Sequence, residues 1–533
     1  MRRQPLVQSL IAALVLGGSA VAAQAADWLQ FGYDQAHSGF NPADPGGYSV
    51  SSQTFTIHAV GNLTALPSDA APVYLSGVST PSGTKNVLYV VTTNGTIVAL
   101  DADAPAPTSG PTDAVLWSHQ PSTNKTDEGM SGSPAIDPNQ QFVYAYALDG
   151  KVHKYQVGDG TEITTTCAGA TDFNCWPEVS TVKTNVEKGA AALAFSTPPG
   201  GTNYLYHVTN GYDGDGGDYQ GHVTTINLSN ANQFVFNVMC SDLGNMHFVN
   251  SGTPKVNDCN ILGGPGPGRA GQMGGIWGRP GTIYDAQTNR IYIATGNGIF
   301  DANTAGDHEW GDSVLALNPN GSGSGLGVPV DSYTPANYAD LYAGDTDLGS
   351  TAPAILPSKS ATFPHLAIQS GKDSCLRLIN LDQMGTAAGP AHPGGEINES
   401  TSCSTDGVND GVVFPQPAVW VNPADQTTWF YVVNSNTFIS YTLNTSGTTP
   451  ALVKHWTASG GRSPVIAGTT LYYISGGAVM GLNTLTGAKL WSGSIGSTHW
   501  QSPIVVNQHV YVTDSTGTLS AFYVDGIFKN GFQ

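Results

Sequence analysis

The sequence predicts an all-β chain that closes into an eight-bladed propeller, or seven blades if the unit at Ala190 is irregular, and three observations carry that expectation. A unit of about 40–50 residues recurs from Ala71 to the C-terminus, the period expected of blades stacked around an axis. Its strands are short and rich in β-branched and aromatic residues, with glycine-bearing turns between them. Finally, the chain holds 66 glycines while charged residues make up only 11 %, a composition that favours strands and turns over long amphipathic helices.

In chain order, the N-terminus reads first as an address. Arg2 and Arg3 precede an apolar run, Leu10–Val21, and Ala23-Gln24-Ala25 supplies the small-x-small pattern of a cleavage site. Residues 1–25 are therefore expected to be a signal peptide, and residues 26–533 an exported chain, periplasmic or extracellular. The run is too short to anchor in a bilayer, and nothing downstream approaches the roughly 18 apolar residues of a membrane span.

The next segment, Gln53–Val60 (QTFTIHAV), belongs to no repeat and is expected to supply the outer strand missing from the last one, latching the ring. The repeats themselves run over Ala71–Gln120 and Ser133–Gly160, restart at Ala190, Pro280, Ala352 and Gln416, and end with Arg462–Ile495 and Gln501–Gly526. A small residue and a proline open most of them. Pro72, Pro134, Pro280, Pro353, Pro417, Pro464 and Pro503, with an alanine-rich variant near Ala191, mark eight units. In the fourth unit, Arg290–Thr295 and Asp312–Leu317 alternate as strands around a polar loop that carries Asn297, Asp301, Asp307, His308 and Glu309, a natural place for ligand groups.

Charge narrows the partners. The formal net charge of −20 becomes −22 once Arg2 and Arg3 are removed, which disfavours nucleic acid and anionic lipid surfaces. The six cysteines fall in neighbouring pairs, Cys167/Cys175, Cys240/Cys259 and Cys375/Cys403. In an oxidising compartment these read as loop-stapling disulfides, although 15 connectivities are formally open. None has the spacing of a zinc knuckle.

The pattern Pro…VYV…Gly-x-Leu-x-Ala-Leu-Asp…Thr-Gly-x-x-x-Trp, seen in Leu88–Trp117 and Leu471–Trp491, resembles the tryptophan-docking repeat of pyrroloquinoline quinone (PQQ) propellers. The opening DWLQFGYDQAHSGFNP is similar to that of quinoprotein alcohol dehydrogenases and polyvinyl-alcohol dehydrogenases. The resemblance covers essentially the whole mature chain. It implies that Trp117, Trp456 and Trp491 pack between neighbouring blades. It also implies PQQ held at the axis by calcium, with Asn297 of IATGNG and Asp347 of DTDLGS as metal ligands and Asp347 as the base. Lys372 of QSGKDS then reaches the quinone oxygens and Trp277 of IWGRP forms the floor.

Two features depart from that pattern. No two cysteines are adjacent, and the glutamate ligand expected in the preceding unit is replaced by Asp213, Asp215 and Asp218, of which Asp215 and Asp218 are the candidate substitutes. The same acidic loop, and the cluster Asp307-His308-Glu309 with Asp312, could bind calcium independently, but both also fit solvated turns. Asn297 and Asp347 are equally ordinary turn residues. The GxGxxG match at Gly266–Gly271 leads to no helix, and neither GxSxG nor HExxH occurs. The expected function is oxidation of a small or polymeric alcohol with PQQ and calcium. The alternative is a non-catalytic propeller that binds a protein or glycan through its axial loops.

Overall fold

The computed structural model describes residues 27–46, 51–105, 109–122, 132–169, 172–239 except 213, 215 and 218, 247–248, 274–302, 308–387, 389–399 and 413–523. The expected signal peptide lies outside them, as do Asp215, Asp218, Cys240, Cys259 and Cys403.

Eight four-stranded antiparallel sheets form the blades of a propeller. Their first strands are Val73–Thr80, Ala135–Ile136, Ala194–Ser196, Ile283–Asp285, Ala354–Pro357, Ala418–Val421, Val465–Ala467 and Ile504–Val506. These strands touch one another between neighbouring blades, which places them at the axis. Each marker proline stands at the threshold of such a strand. A proline has no N–H to offer a ladder, so it is tolerated where a strand begins and nowhere inside it.

Ring closure follows the sequence expectation, with a shorter strand. Ser51–Thr56, rather than Gln53–Val60, pairs antiparallel with Thr518–Tyr523 and becomes the outermost strand of blade 8. Chain ends that are far apart in sequence thus share one sheet, and the ring has no open blade edge at the join.

The segment ahead of that strand does something the repeats do not foretell. Residues 28–44 cross the axis and bond to the inner strands of seven blades. Trp28 exchanges backbone bonds with Tyr74 (blade 1), Leu29 accepts from Ile136 (blade 2), and the Gln30 side chain accepts from Phe195 N–H (blade 3). Gln35 then accepts from Tyr284 (blade 4) and Ser38 from Val419 (blade 6). Phe40–Asn41 runs parallel to Ile466–Ala467 (blade 7), and Asn41 Nδ2 donates to Val505 O (blade 8). The innermost strand of a blade exposes unpaired backbone groups to the axis, and this plug satisfies them. His37 lies buried within the plug, and desolvation drives its pKa down to about 3, so it is neutral.

Between blades the tryptophans dock as the repeat implies. A Cβ on Gly160 would stand 2.6 Å from the Trp117 ring, and one on Gly487 would stand 2.6 Å from Trp456. Both glycines have positive φ, so each Thr-Gly-type turn offers a bare backbone face for the indole of the preceding blade. Trp456 Nε1 also donates to Thr484 O at 2.9 Å. Each such ring buries on the order of 150–250 Å². Trp491 differs because blade 8 has no such turn: it meets Phe522 edge-on, with ring centroids 5.1 Å apart.

Cys167 and Cys175 form a disulfide as expected, and Cys375 is also disulfide-bonded. Among the described residues the α-helix is the short Tyr338–Gly344, and no helix is long and apolar enough to cross a membrane.

Two tests follow from this frame. Trp28 is fully buried, so Trp28→Ala is expected to cost about 3–5 kcal/mol and lower the unfolding midpoint; an unchanged denaturation curve would refute the role given to the plug. Glu178 is buried at the edge of blade 2, where desolvation first, then the charge of Asp172, lifts its pKa to about 9. Its folded pKa exceeds its unfolded value, so its contribution is greatest in acid and is lost as pH rises from about 4.5 toward 9. Glu178→Gln should therefore stabilise the protein by on the order of 2–3 kcal/mol near pH 7 and much less near pH 4, read by thermal denaturation at both.

Candidate functional site

In an antiparallel blade, the start of the first strand and the end of the second lie at the same end of the sheet. Loops that lead into first strands and loops that leave second strands therefore gather at one mouth of the ring. A cavity of about 560 Å³ opens there, and its lining comes from loops of blades 1, 3, 4, 5, 6 and 8. The plug comes near its lining: Phe31 packs on Ala71 and Ala192, each two residues along the chain from the lining residues Asp69 and Ala190.

The linings share a register. The residue three before the marker proline lines the cavity in five units: Asp69, Trp277, Ser350, Phe414 and Trp500. A strand fixed at its proline aims that position at the axis in these five blades. Alignment of the repeats on their prolines would have exposed this set, and motif matching alone missed Asp69, Phe414 and Trp500.

Asn297 and Lys372 arrive on the other class of loop. Asn297 follows Arg290–Ala294, the second strand of blade 4, and Lys372 follows His365–Gln369, the second strand of blade 5. Asp347 lies in the connection between these blades, after the short helix and just ahead of the 3₁₀ turn Leu348–Ser350. The four residues named from the sequence at this site, Trp277, Asn297, Asp347 and Lys372, come together.

Asp347 Oδ1 accepts from the Asn297 backbone N–H at 2.7 Å, and Oδ2 faces Lys372 Nζ at 2.5 Å. Asn297 Nδ2 donates to Asp345 Oδ1 at 2.6 Å, while its Oδ1 is buried without a partner. Trp277 completes the corner: a Cβ on Gly296 would collide with Asp347 and stand 2.7 Å from the indole. The Trp277 ring also meets Tyr219 edge-on, with centroids 5.9 Å apart.

Burial pushes the Asp347 carboxyl up, and Lys372 followed by the Asn297 N–H pull it back. Behind it, Asp312 is fully buried. Desolvation, then the charge of Asp347, holds its carboxyl well above the usual carboxylate range. This corrects one sequence reading, because neither Glu309 nor Asp312 sits on a solvated turn.

Across the cavity Arg279 donates to Asp69 O at 2.9 Å, and burial lowers its pKa to about 10. Asp69 accepts from His499 Nδ1 and from Gln501 Nε2, each at 2.9 Å. Trp500 meets His499 at a tilt, with ring centroids 4.6 Å apart, and Phe414 edge-on at 5.3 Å. One wall thus carries Asp345, Asp347, Lys372 and Trp277, and the other carries Asp69, Arg279, His499, Phe414 and Trp500.

Comparison with known proteins adds the family context. The PQQ_2 family model, described as outer membrane protein assembly factor BamB, matches residues 430–527. Quinohemoprotein alcohol dehydrogenase from Comamonas testosteroni superposes with a TM-score of 0.56 at 14 % identity, covering 93 % of this chain and 80 % of that one. The chain is a propeller of PQQ-like repeats. BamB from Moraxella catarrhalis is a looser likeness, with a TM-score of 0.46 at 11 % identity over 89 % of this chain and 99 % of its own. At these identities the likeness is one of fold. No curated protein matches the sequence.

The donors of this PQQ-like propeller suit a hard cation: two carboxylates, Asp345 and Asp347, and the unpartnered amide oxygen of Asn297. Among the described residues no three His, Cys, Asp or Glu side chains converge on one metal position. Gly214 lines the cavity, but the aspartates on either side of it, Asp213 and Asp215, lie outside the described residues.

Lys372 is the partner that keeps Asp347 charged while buried. Lys372→Met is expected to cost about 1–2 kcal/mol near pH 7, and the loss should shrink toward pH 4 as Asp347 takes up a proton. Urea denaturation at the two pH values measures it, and a penalty independent of pH would contradict the pairing.

Proposed function

We propose that this PQQ-like propeller is an exported oxidoreductase that oxidises alcohol groups in its axial cavity, with PQQ and calcium as its cofactors. The observation that carries the reading is the meeting of Trp277, Asn297, Asp347 and Lys372, from separate loops of blades 4 and 5, at one corner of a partly enclosed space that Trp277, Asp347 and Lys372 line and behind which Asn297 is buried. When bound, the metal-polarised quinone supplies an electrophilic carbonyl that accepts a hydride.

Asn297, through its unpartnered Oδ1, and Asp347 are the residues that would hold the ion, Lys372 would reach the quinone oxygens, and Trp277 would lie beneath its plane. Asp347 takes the hydroxyl proton. Lys372 beside it offsets the cost of keeping that carboxylate ionised while it is 4 % exposed. Phe414 and Trp500 line the same space and displace water from around the alcohol carbon. The substrate class is a small molecule or a polymer bearing neutral hydroxyls, in keeping with an acidic chain that repels polyanions.

A second reading has its own support. The family description over residues 430–527 is that of an assembly factor, which favours a non-catalytic propeller that docks a protein or glycan through its axial loops. One experiment separates the two. Purified protein is incubated with PQQ and Ca²⁺, passed through gel filtration, and assayed for quinone absorbance and for alcohol-dependent dye reduction. Retention with dye reduction is expected, and Asn297→Ala should lower retention at least about tenfold by removing the amide oxygen. Retention without dye reduction leaves binding alone, and no retention favours the docking reading.

A further inference from the structure

We propose that Asp312 is a positioning residue that clamps the turn after Asp347 to the loop that carries Asn297, and so holds the Asp347 carboxylate in place. The inference rests on the reading above for its functional consequence, but its structural part stands separately.

The argument begins with a backbone amide. Asp347 occupies the N-cap of the 3₁₀ turn Leu348–Ser350, yet its side chain makes no capping bond there. An aspartate in that place ordinarily accepts from the second or third amide of its own turn, so the first, Leu348 N–H, needs a partner from elsewhere in any case. Here both carboxylate oxygens are committed elsewhere, to Asn297 N–H and to Lys372 Nζ. Leu348 is fully buried, so its amide cannot turn to bulk water. It donates instead to Asp312 Oδ1 at 3.0 Å, from a residue 36 positions earlier in the chain.

Asp312 is well placed to be the fixed end of this contact. It opens the return from the blade 4 loop with φ +47°, and its own N–H donates to Gly296 O at 3.0 Å. The next residue is held on two sides, as Ser313 N–H donates to Thr295 Oγ1 at 2.8 Å and Thr295 N–H to Ser313 O at 2.8 Å. Asp312 therefore grips the residue before Asn297 with its backbone and the residue after Asp347 with its side chain. Asn297 and Asp347 are thus registered against each other through one residue that does not line the cavity. The turn also packs directly on blade 4, where a Cβ on Gly349 would stand 2.6 Å from Ala294 O. Asp312 Oδ2 has no partner, so the side chain has no competing bond.

Two substitutions isolate the acceptor. Asp312→Gly tolerates the positive φ and removes the carboxyl, whereas Asp312→Asn tolerates the same φ and keeps an oxygen for Leu348. Hydrogen exchange of peptides spanning residues 345–351 is the structural readout, and retention of PQQ with Ca²⁺ on the full chain is the functional one. Asp312→Gly is expected to speed exchange and to weaken retention, each about tenfold, with Asp312→Asn within about twofold of the parent in both. Parent-like exchange in Asp312→Gly overturns the proposal. So does an Asp312→Asn as impaired as the glycine variant, because bulk or charge rather than the acceptor would then matter. If Asp312→Gly does not fold, Asp312→Ser, whose hydroxyl is too short to reach Leu348, replaces it under the same criteria. If the parent retains no quinone, the functional reading fails while the exchange measurement still decides the clamp.

Discussion

Eight inner strands that meet at an axis leave a column of backbone donors and acceptors with no neighbouring strand to pair with. The bonds that residues 28–44 make to seven blades answer that constraint, and much else in the molecule depends on them. An unpaired buried amide costs on the order of 1–3 kcal/mol, so an empty hub would weaken every blade at its narrowest strand. Filling the hub with one continuous segment also ties blades together that share no loop. The same segment then runs on to Ser51–Thr56 and closes the ring, so axial filling and closure are achieved by one stretch of chain.

The plug also decides where a ligand can go. With Phe31, Ala71 and Ala192 packed across the middle, the axial channel becomes a cup that opens toward the loops ahead of the inner strands. The cup differs in charge from the protein around it. The chain carries 39 acids against 19 lysines and arginines, yet Lys188, Arg279 and Lys372 line the cavity alongside Asp69, Asp345 and Asp347. Burial makes a charge such as Asp347 or Asp69 expensive on its own, and Asp347 is paired with Lys372 while the Asp69 carboxylate accepts from His499 and Gln501.

At that cup the important side chains are held by contacts between loops. Asn297 is fixed through its amide to Asp345, and Gly296 leaves room for Trp277 and Asp347 to approach. Asp312 ties the turn after Asp347 to blade 4 through the Leu348 amide. Catalytic or binding geometry on loops needs such supports, since a loop has no ladder of its own to hold a side chain still.

The sequence by itself determined the periodic features. The repeat length, the proline ahead of seven of the eight inner strands and the turns on which Trp117 and Trp456 dock are local chemistry that recurs from blade to blade, so each copy reinforces the reading of the others, and the latch was legible as the strand that the last copy lacks. Asn297, Asp347, Lys372 and Trp277 were legible because their short motifs resemble those of a family. Only the tertiary structure decided the rest. Nothing local marks Trp28–Asp44 as a hub plug, because its bonds reach seven strands spread over more than 400 residues. Asp312 read as one acid in a polar loop, and its burial and its bond to Leu348 exist only when blade 4 meets the connection to blade 5. Periodicity records what each blade needs for itself, whereas the hub and the cavity are made of what different blades do to one another, and that is settled only when the ring closes.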